Sequence, residues 1–537
     1  MQRKNPCEEN SMRASINRIM LGIMVGCLLM TSVAVAQQEP TLHVSQNVTT
    51  AFGMPGQVQD QYVPHQPPTI YTNTNYPVVD PMANAEAAYF QQQANSGEFY
   101  PQYYGDQYAY GCQPCTTSMS PRLKCGKWFV TGWLDQGFTY NTDDPNNRMN
   151  GPLKYNDRSG EYQFNQLYLS LGRSVATSGC SWDIGGRVDM LYGSDYLWTS
   201  AIGLETRTTN NGVPQEDPAA LPSRWNNNNG PRVGGASRLG LAMPQVYAEI
   251  YVPLGLGLNI KGGHFYSIMG YESVMSPQNF FYSHSYSMMY GQPTTHTGIL
   301  FSQRLTHRLT GIFGVTRGWD TWEDPNGKLS YLAGIQWNSC DRRTEFSWVG
   351  ATGNETVSDI NNPNGTSRSD AIRYNYSMVL SHQLTPRLKV VAQHDMGYER
   401  DAAMERVFGQ TGLPTQNYIN GHWYSWSAYA FYQLTNKLTL GVRGEWFRDV
   451  NSSRIYRRDY FRDDLRGEYI DGQDYSQITI GLNWKPCECL VVRPEARVDW
   501  SGVCVVDGAG NTVKGGVFDD FSKKSQTTVA LSTYITY

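Results

Sequence analysis

The chain has 537 residues, a formal net charge of −4 and a mean hydropathy of −0.49. This polarity excludes a helical membrane protein, and a nucleic-acid partner is disfavoured because phosphate binding needs a basic face. A transmembrane β-barrel is compatible with both values, since only alternate strand residues face lipid, and the 36 Tyr and 14 Trp suit its interfacial belts.

The first 36 residues have the pattern of a secretory signal peptide. Arg13 and Arg18 precede the apolar run 19–30, and Ala34-Val-Ala36 supplies the small residues that a signal peptidase requires. We therefore expect export and a mature chain that begins at Gln37. Cleavage would remove four of the 43 basic and two of the 47 acidic residues, which leaves a net charge of −6.

The cysteines leave two alternatives open near the N-terminus. A lipoprotein leader would start the mature chain at Cys27, but apolar residues follow it where a polar tether is usual. Cys112 and Cys115 have the spacing of half a zinc site, but no His or Cys pair follows at suitable spacing. We expect no metal or cofactor, and we expect structural disulfides, because export favours oxidised thiols. The mature chain offers Cys112, Cys115, Cys125, Cys180, Cys340, Cys487, Cys489 and Cys504.

Residues 37–126 differ in composition from the rest of the chain. They are rich in Gln, Tyr and Pro, as in Tyr100-Pro-Gln-Tyr-Tyr104, and contain little charge and few branched aliphatic residues. Such a segment cannot bury enough apolar surface to offset its conformational entropy. We predict a disordered periplasmic extension, and we favour a solvated linker over an attachment to another envelope component. No apolar run after Ala36 is long enough for a transmembrane helix.

Residues 127–537 alternate apolar and polar side chains between turn-forming segments, which predicts sixteen strands. The expected fold class is all-β, a transmembrane antiparallel β-barrel. The predicted strands are 127–140, 162–173, 182–193, 244–253, 256–267, 295–304, 309–318, 329–339, 343–353, 372–383, 388–398, 422–433, 438–448, 475–485, 490–500 and 526–537.

The gaps between these strands alternate in length. Short gaps follow the even-numbered strands, and three of them share a Leu-Thr-x-x-Leu pattern, at 305–309, 384–388 and 434–438. Longer gaps follow the odd-numbered strands, at 141–161, 194–243, 268–294, 319–328, 354–371, 399–421, 449–474 and 501–525. This alternation is typical of outer-membrane barrels, with short turns in the periplasm and long loops outside.

Two further strand features favour a membrane barrel over a soluble sandwich. In strand 490–500 the charged residues fall on one face and the apolar residues on the other, because strand side chains have a period of two. The last strand places Val529, Leu531, Ile535 and Tyr537 on one face and ends in an aromatic residue. This ending resembles the terminal strand that the bacterial barrel-assembly machinery recognises.

Several strands carry a basic or amide residue two positions before an acid, which puts both side chains on one face. The predicted pore-lining pairs are Arg187 with Asp189, Gln393 with Asp395, Arg443 with Glu445, Arg493 with Glu495, and Arg497 with Asp499. Such a ladder of charges can set the ion preference of a polar pore. It can equally stiffen the barrel wall through salt bridges, and the two interpretations are compatible.

The gap 268–294 contains an unusual number of apolar and aromatic residues for a loop in water. We predict that it folds inward as a constriction loop, where aromatic faces can guide a sugar or another amphipathic solute. Capping of the barrel mouth or a subunit contact is the alternative. The candidate residues are Tyr271, Glu272, Phe280, Phe281, Tyr282, His284, Tyr286 and Tyr290.

No catalytic motif is present, and we predict that the protein is not an enzyme. A barrel phospholipase would need Ser, His and an orienting polar residue together on the outer wall, and nothing in the spacing around His284 demonstrates this. The cluster Asp143–Asn147 could bind calcium, but such clusters are usually turns.

The chain resembles the OmpL-like β-barrel porins of bacterial outer membranes over residues 127–537. The resemblance rests on Gly132–Phe138, Gly270–Glu272, Asn279–Tyr286 and Gln292–Gly298. It implies a single-chain barrel that serves as a passive pore. It carries over no ligand residue, because the motifs of the family do not define a substrate.

These observations predict an outer-membrane porin that admits small hydrophilic solutes by diffusion through a polar lumen. A carbohydrate-specific channel and a structural barrel that anchors the envelope are the alternatives. The expected partners are outer-membrane lipid, the barrel-assembly machinery, the solutes and two further copies of the chain in a homotrimer.

Overall fold

A computed structural model describes most of the chain from residue 128 to its end. The described residues are 128–177, 181–205, 238–323, 327–355, 372–408, 414–455, 469–471, 474–506 and 512–537. The predicted signal peptide, the predicted extension and the cysteines at 112, 115, 125 and 180 lie outside them. Within the described ranges, no helix is both long enough and apolar enough to span a bilayer.

Sixteen antiparallel strands close into a barrel, so the predicted fold class is confirmed. Sequential strands are neighbours throughout, and the first strand pairs with the last. The barrel strands are β1 (Trp128–Asn141), β2 (Glu161–Arg173), β3 (Asp183–Gly193), β4 (Gly240–Val252), β5 (Leu258–Tyr266), β6 (Thr295–Arg304), β7 (Leu309–Thr316), β8 (Ser330–Asn338), β9 (Thr344–Asn354), β10 (Ile372–Thr385), β11 (Leu388–Phe408), β12 (Pro414–Thr435), β13 (Leu438–Val450), β15 (Asp474–Cys487), β16 (Leu490–Ser501) and β19 (Ser525–Thr536).

Three short strands pair outside the barrel, namely β14 (Tyr469–Asp471), β17 (Cys504–Val506) and β18 (Thr512–Lys514). Three short helical segments complete the described elements, namely α1 (Tyr196–Thr199), a 3-10 turn (Ser276–Gln278) and a π-helical turn (Ser287–Gly291).

One predicted loop is wrong. The expected gap 399–421 is largely a continuation of β11 and β12, whose ladder extends to Phe408 and Pro414. The segment 399–408 lacks the alternation of apolar and polar residues that marked the other strands. Backbone pairing can extend a hairpin without an apolar face once the strands leave the bilayer, so the pattern gave no signal there.

The side-chain alternation separates a lipid face from an inner face. On β13, Val442 is exposed and Leu440 and Trp446 are partly exposed, whereas Arg443 and Glu445 are buried. Exposed Val, Leu, Ile and aromatic residues recur around the outer surface of the barrel. This belt is what a hydrocarbon environment requires, since a charged side chain on the lipid face costs about 2–4 kcal/mol at the bilayer midplane.

The Leu-Thr-x-x-Leu turns owe their pattern to the threonine hydroxyl. Thr385 Oγ1 accepts hydrogen bonds from the backbone N–H groups of Arg387 and Leu388, at 3.3 and 3.1 Å. The hydroxyls of Thr306 and Thr435 accept equivalent bonds in the other two turns. The threonine therefore satisfies amide groups that a tight hairpin leaves without ladder partners.

Replacing Thr385 with Val should lower the free energy of unfolding by about 1 kcal/mol, because Val keeps the side-chain shape and removes both hydrogen bonds to this exposed hydroxyl. Equilibrium urea unfolding in micelles, followed by Trp fluorescence, measures the change. Thr352→Val is the matched control, because Thr352 is exposed on the outer face of β9. Equal losses in both variants would contradict the role of the turn hydroxyl.

The C-terminus closes the barrel. Tyr537 and Gly132 exchange two backbone hydrogen bonds at 2.9 and 3.0 Å, and the Tyr537 hydroxyl donates to the carbonyl of Tyr168 at 2.9 Å. The side chain of Tyr537 thus reaches across β1 to β2. The final aromatic residue contributes to the seam between the first and last strands.

Candidate functional site

The segment 267–294 between β5 and β6 lies inside the barrel, and we call it the inner loop. Apart from its 3-10 and π-helical turns it has no regular structure. Nearly all of its residues are nevertheless buried. Buried backbone N–H and C=O groups need partners, and a segment without a ladder must find them elsewhere.

Two wall carboxylates accept hydrogen bonds from the inner loop. Each binds two consecutive backbone N–H groups, at distances of 2.7–3.2 Å. The contacts join Glu495 of β16 to Tyr282 and Ser283, and Glu445 of β13 to Tyr286 and Ser287. A carboxylate suits this task because its two oxygens accept several bonds at once.

Three wall arginines donate to carbonyl groups of the same loop, at distances of 2.5–3.3 Å. Arg443 binds the carbonyl of Ser283, Arg497 binds that of His284, and Arg493 binds those of Ser276 and Asn279. Each guanidinium also pairs with a carboxylate, so its charge is compensated in the buried site. The partners are Glu272 for Arg443, Asp135 for Arg493 and Asp499 for Arg497.

The other predicted wall residues divide into two groups. Gln393 accepts from the backbone N–H of Tyr271 at 2.8 Å, Asp395 binds the hydroxyl of Ser287, and Asp499 accepts from the hydroxyl of Tyr286 at 2.8 Å. Arg187 and Asp189 instead pair with each other on β3 at 2.7 Å.

All ten predicted pore-lining residues lie on the inner wall, each at most 5 % exposed. Eight of them bind the inner loop directly, and Arg187 and Asp189 on β3 pair with each other. These wall charges therefore supply hydrogen-bond partners for the irregular backbone of the inner loop. The sequence interpretations, a charged pore lining and salt bridges that stiffen the wall, did not include this role. A role of these ten residues in permeation stays a prediction.

Glu272 connects the wall to the middle of the inner loop. Its carboxylate binds Arg443 at 2.7 Å and accepts from the backbone N–H of Ser285 at 2.7 Å, with His284 Nδ1 at 3.6 Å. Burial raises the pKa of Glu272, but Arg443 and His284 outweigh burial and hold that pKa well below its usual range. The residue is therefore ionised at neutral pH.

The aromatic residues of the inner loop differ in how far they are exposed. Tyr271 and Phe280 are partly exposed and pack against Tyr429 and Phe431 of β12, with ring centroids 4.9 Å apart for the Tyr271–Tyr429 and Phe280–Phe431 pairs. Phe281, Tyr282, Tyr286 and Tyr290 are buried. Only the first two side chains therefore offer ring surface to a solute in this arrangement.

The far side of the inner loop contacts the segment between β1 and β2. Lys154 donates to the carbonyl of Met289 at 2.8 Å and lies 4.0 Å from the ring centroid of Tyr290. The rings of Tyr155 and His284 are tilted against each other, with their centroids 4.4 Å apart. The inner loop is thus held between the barrel wall and an outer loop.

Sequence reasoning missed Asp135 and Gln166, which also hold the inner loop. Asp135 accepts from the hydroxyl of Ser276 at 2.7 Å, and Gln166 donates to the carbonyl of Val274 at 2.7 Å. Asp195 accepts from Gln166 at 2.8 Å, and burial raises the pKa of Asp195 to about 7. Asp135 could have been recognised from the sequence, because it is an acidic residue on the inner face of the first strand.

The structure places His284 and Asp143, the residues of the enzymatic and calcium alternatives, in different surroundings. His284 lies inside the barrel at 5 % exposure, whereas a barrel phospholipase needs its catalytic residues on the outer wall. Asp143 pairs with Lys523 at 2.7 Å. Across the ranges that the structure describes, no group of three or more His, Cys, Asp or Glu residues is arranged to hold a metal ion.

A closed sixteen-stranded barrel with an apolar belt, a polar inner wall and a loop bound inside it defines an outer-membrane porin. The sequence profile described as "Putative beta-barrel porin-2, OmpL-like" matches residues 128–537. The chain belongs to this OmpL-like porin family, which confirms the resemblance noted in the sequence. Members of such porin families are typically not enzymes.

Solved structures of outer-membrane proteins are similar to the chain at low identity. The channel DcaP of Acinetobacter baumannii is 11 % identical with a TM-score of 0.43, and the similarity covers 76 % of this chain and 97 % of DcaP. OprB of Pseudomonas putida is 11 % identical with a TM-score of 0.45, and the similarity covers 76 % of this chain and 94 % of OprB. An anion-selective porin from Comamonas acidovorans is 9 % identical with a TM-score of 0.41, and the similarity covers 76 % of this chain and 99 % of that porin. No curated protein matches the sequence.

Proposed function

We propose that this barrel is a general porin of the bacterial outer membrane, through which small hydrophilic solutes diffuse passively. The observation that carries the proposal is the attachment of the inner loop to eight polar or charged wall residues. A loop fixed in this way narrows the lumen at a defined level. The remaining width and the charge beside the loop would then filter solutes by size and sign.

A carbohydrate-specific channel is the second candidate. The partly exposed rings of Tyr271 and Phe280, backed by Tyr429 and Phe431 of β12, form an aromatic surface on the inner loop. Flat apolar ring faces can pack against the apolar faces of a sugar. In this version the same loop would bind its solute rather than only limit its size.

We further propose export through a cleaved signal peptide at 1–36 and recognition of the last strand by the barrel-assembly machinery. A homotrimer in the outer membrane completes the proposed assembly. The aromatic ending at Tyr537 supports recognition of the strand, and the continuous apolar belt supports contact with lipid or with further copies.

Reconstitution of the purified protein in a planar bilayer tests the function. A general porin should give discrete current steps that scale with salt concentration and are insensitive to added sugars. Block of those steps by millimolar maltose or a related oligosaccharide would favour the carbohydrate channel. A complete absence of conductance from correctly folded protein would contradict both and favour an envelope-anchoring barrel.

A further inference from the structure

Two cysteines share the tight turn between β15 and β16. Cys487 ends β15 and pairs with Leu490, so only Glu488 and Cys489 form the turn. The two Sγ atoms lie 3.4 Å apart, and both cysteines are free thiols in this structure. A disulfide needs the sulfur atoms to approach to about 2.05 Å, a short movement for two side chains on one turn.

The turn leaves both thiols accessible from the end of the barrel that carries the short hairpins. Cys487 is exposed and Cys489 is partly exposed. The backbone carbonyl of Cys489 accepts from the N–H of Thr536 at 2.9 Å, which fixes the turn beside the last strand. A reactant can therefore reach either Sγ atom without a conformational change in the barrel.

The two other cysteines within the described residues, Cys340 and Cys504, have different surroundings. Cys340 is also exposed and free, but it stands in the turn between β8 and β9 without a neighbouring thiol in the described residues. Cys504 is buried and disulfide-bonded. The described part of the chain thus has an accessible thiol pair, Cys487 with Cys489, and an exposed single thiol, Cys340, on turns of the same class.

We propose that Cys487 and Cys489 form a redox-exchange site that reacts with disulfide-containing small molecules or proteins. The thiolate of one cysteine attacks a sulfur of the partner disulfide, forms a mixed disulfide and releases one partner thiol. The second cysteine then attacks its neighbour, closes the disulfide within the turn and releases the other partner thiol. Two electrons pass from the thiol pair to the partner, and two protons are transferred with them.

The geometry assigns the first attack to Cys487. Its side chain is the more exposed of the two, so a bulky disulfide reaches it first. The hydrogen bond between the two thiols lowers the pKa of Cys487 and raises the pKa of Cys489. Cys489 is then the resolving cysteine, already beside the mixed disulfide.

Oxidised glutathione is the probe that tests this site on the complete folded barrel in micelles. After mild reduction, the protein is treated with glutathione disulfide, quenched with iodoacetamide and analysed by peptide mass spectrometry. The peptide with Cys487 and Cys489 should lose two hydrogens, while Cys340 should accumulate the glutathione adduct. Equal glutathione adducts on all three cysteines, or alkylation of both turn thiols, would overturn the proposal.

Single substitutions separate the two roles. Cys489→Ser should trap the glutathione adduct on Cys487, several-fold above its level in the unmodified chain, because the resolving thiol is missing. Cys487→Ser should form its adduct on Cys489 more slowly. Indistinguishable rates in the two variants would contradict the assignment of Cys487 as the attacking residue. Neither result depends on whether the barrel conducts.

Discussion

Replacing Arg443 with Met should release the middle of the inner loop and raise the single-channel conductance and its noise. Arg443 is fully buried and donates to Glu272, to the carbonyl and hydroxyl of Ser283, and to Thr479, at 2.7–3.1 Å. Met is an unbranched apolar side chain that is shorter than Arg, and it leaves the carboxylate of Glu272 buried without its cation. Breaking a buried ion pair from one side costs about 3–5 kcal/mol, which the loop can reduce by moving into water.

Single-channel recording and thermal unfolding together test this variant. Adding Glu272→Gln to Arg443→Met should restore part of the lost stability, because it removes the uncompensated charge. Arg187→Met is the matched control, since Arg187 is an equally buried wall arginine that pairs with Asp189 on its own strand. The control should lose stability and keep the conductance of the unmodified barrel. An equal change of conductance in both variants would refute a specific role of Arg443 in holding the loop.

Replacing residues 272–291 with a short Gly-Ser linker should increase conductance several-fold and shift the preference towards cations. The deletion removes the segment that binds the wall, and it exposes the charged side chains behind it to the lumen. The exposed set contains three arginines and five acids, namely Arg443, Arg493, Arg497, Asp135, Asp395, Glu445, Glu495 and Asp499. An excess of carboxylates favours cations in a pore.

Reversal potentials in a salt gradient measure this preference. In the shortened barrel, Arg493→Glu with Arg497→Glu should raise the cation preference further, since both side chains would then face the lumen. The same pair of substitutions should destabilise the complete barrel, where these arginines bind loop carbonyls. An unchanged reversal potential in the shortened barrel would refute their assignment as pore-lining residues.

The strands were predictable because the bilayer imposes a simple rule on each of them. One face must be apolar, so alternation along segments such as β13 and β16 is visible in the sequence without knowledge of any partner. The rule ends where a strand leaves the membrane, and the extension of β11 and β12 was accordingly missed. The turn threonines were visible as a repeat, but their hydrogen bonds became clear only in the structure.

The sequence predicted which residues belong to the candidate site, but it did not predict which of them contact one another. The wall charges could be recognised because charged side chains are unfavourable in lipid. The aromatic loop could be recognised because so many aromatic side chains are unusual in a water-exposed loop. Their pairing was not accessible, since Arg493 and Asp135 are 358 positions apart and Arg443 and Glu272 are 171 apart. Alternation assigns a side chain to a face but does not say what stands opposite it.

The sequence by itself determined the barrel, its strand number, its inner and outer faces and the positions of the Leu-Thr-x-x-Leu turns. These features follow from interactions between near neighbours along a strand and from the solvent on each side. Only the tertiary structure decided that the buried charges hold the inner loop. That outcome depends on barrel closure, which brings β1, β13 and β16 around one irregular segment whose backbone N–H and C=O groups need partners.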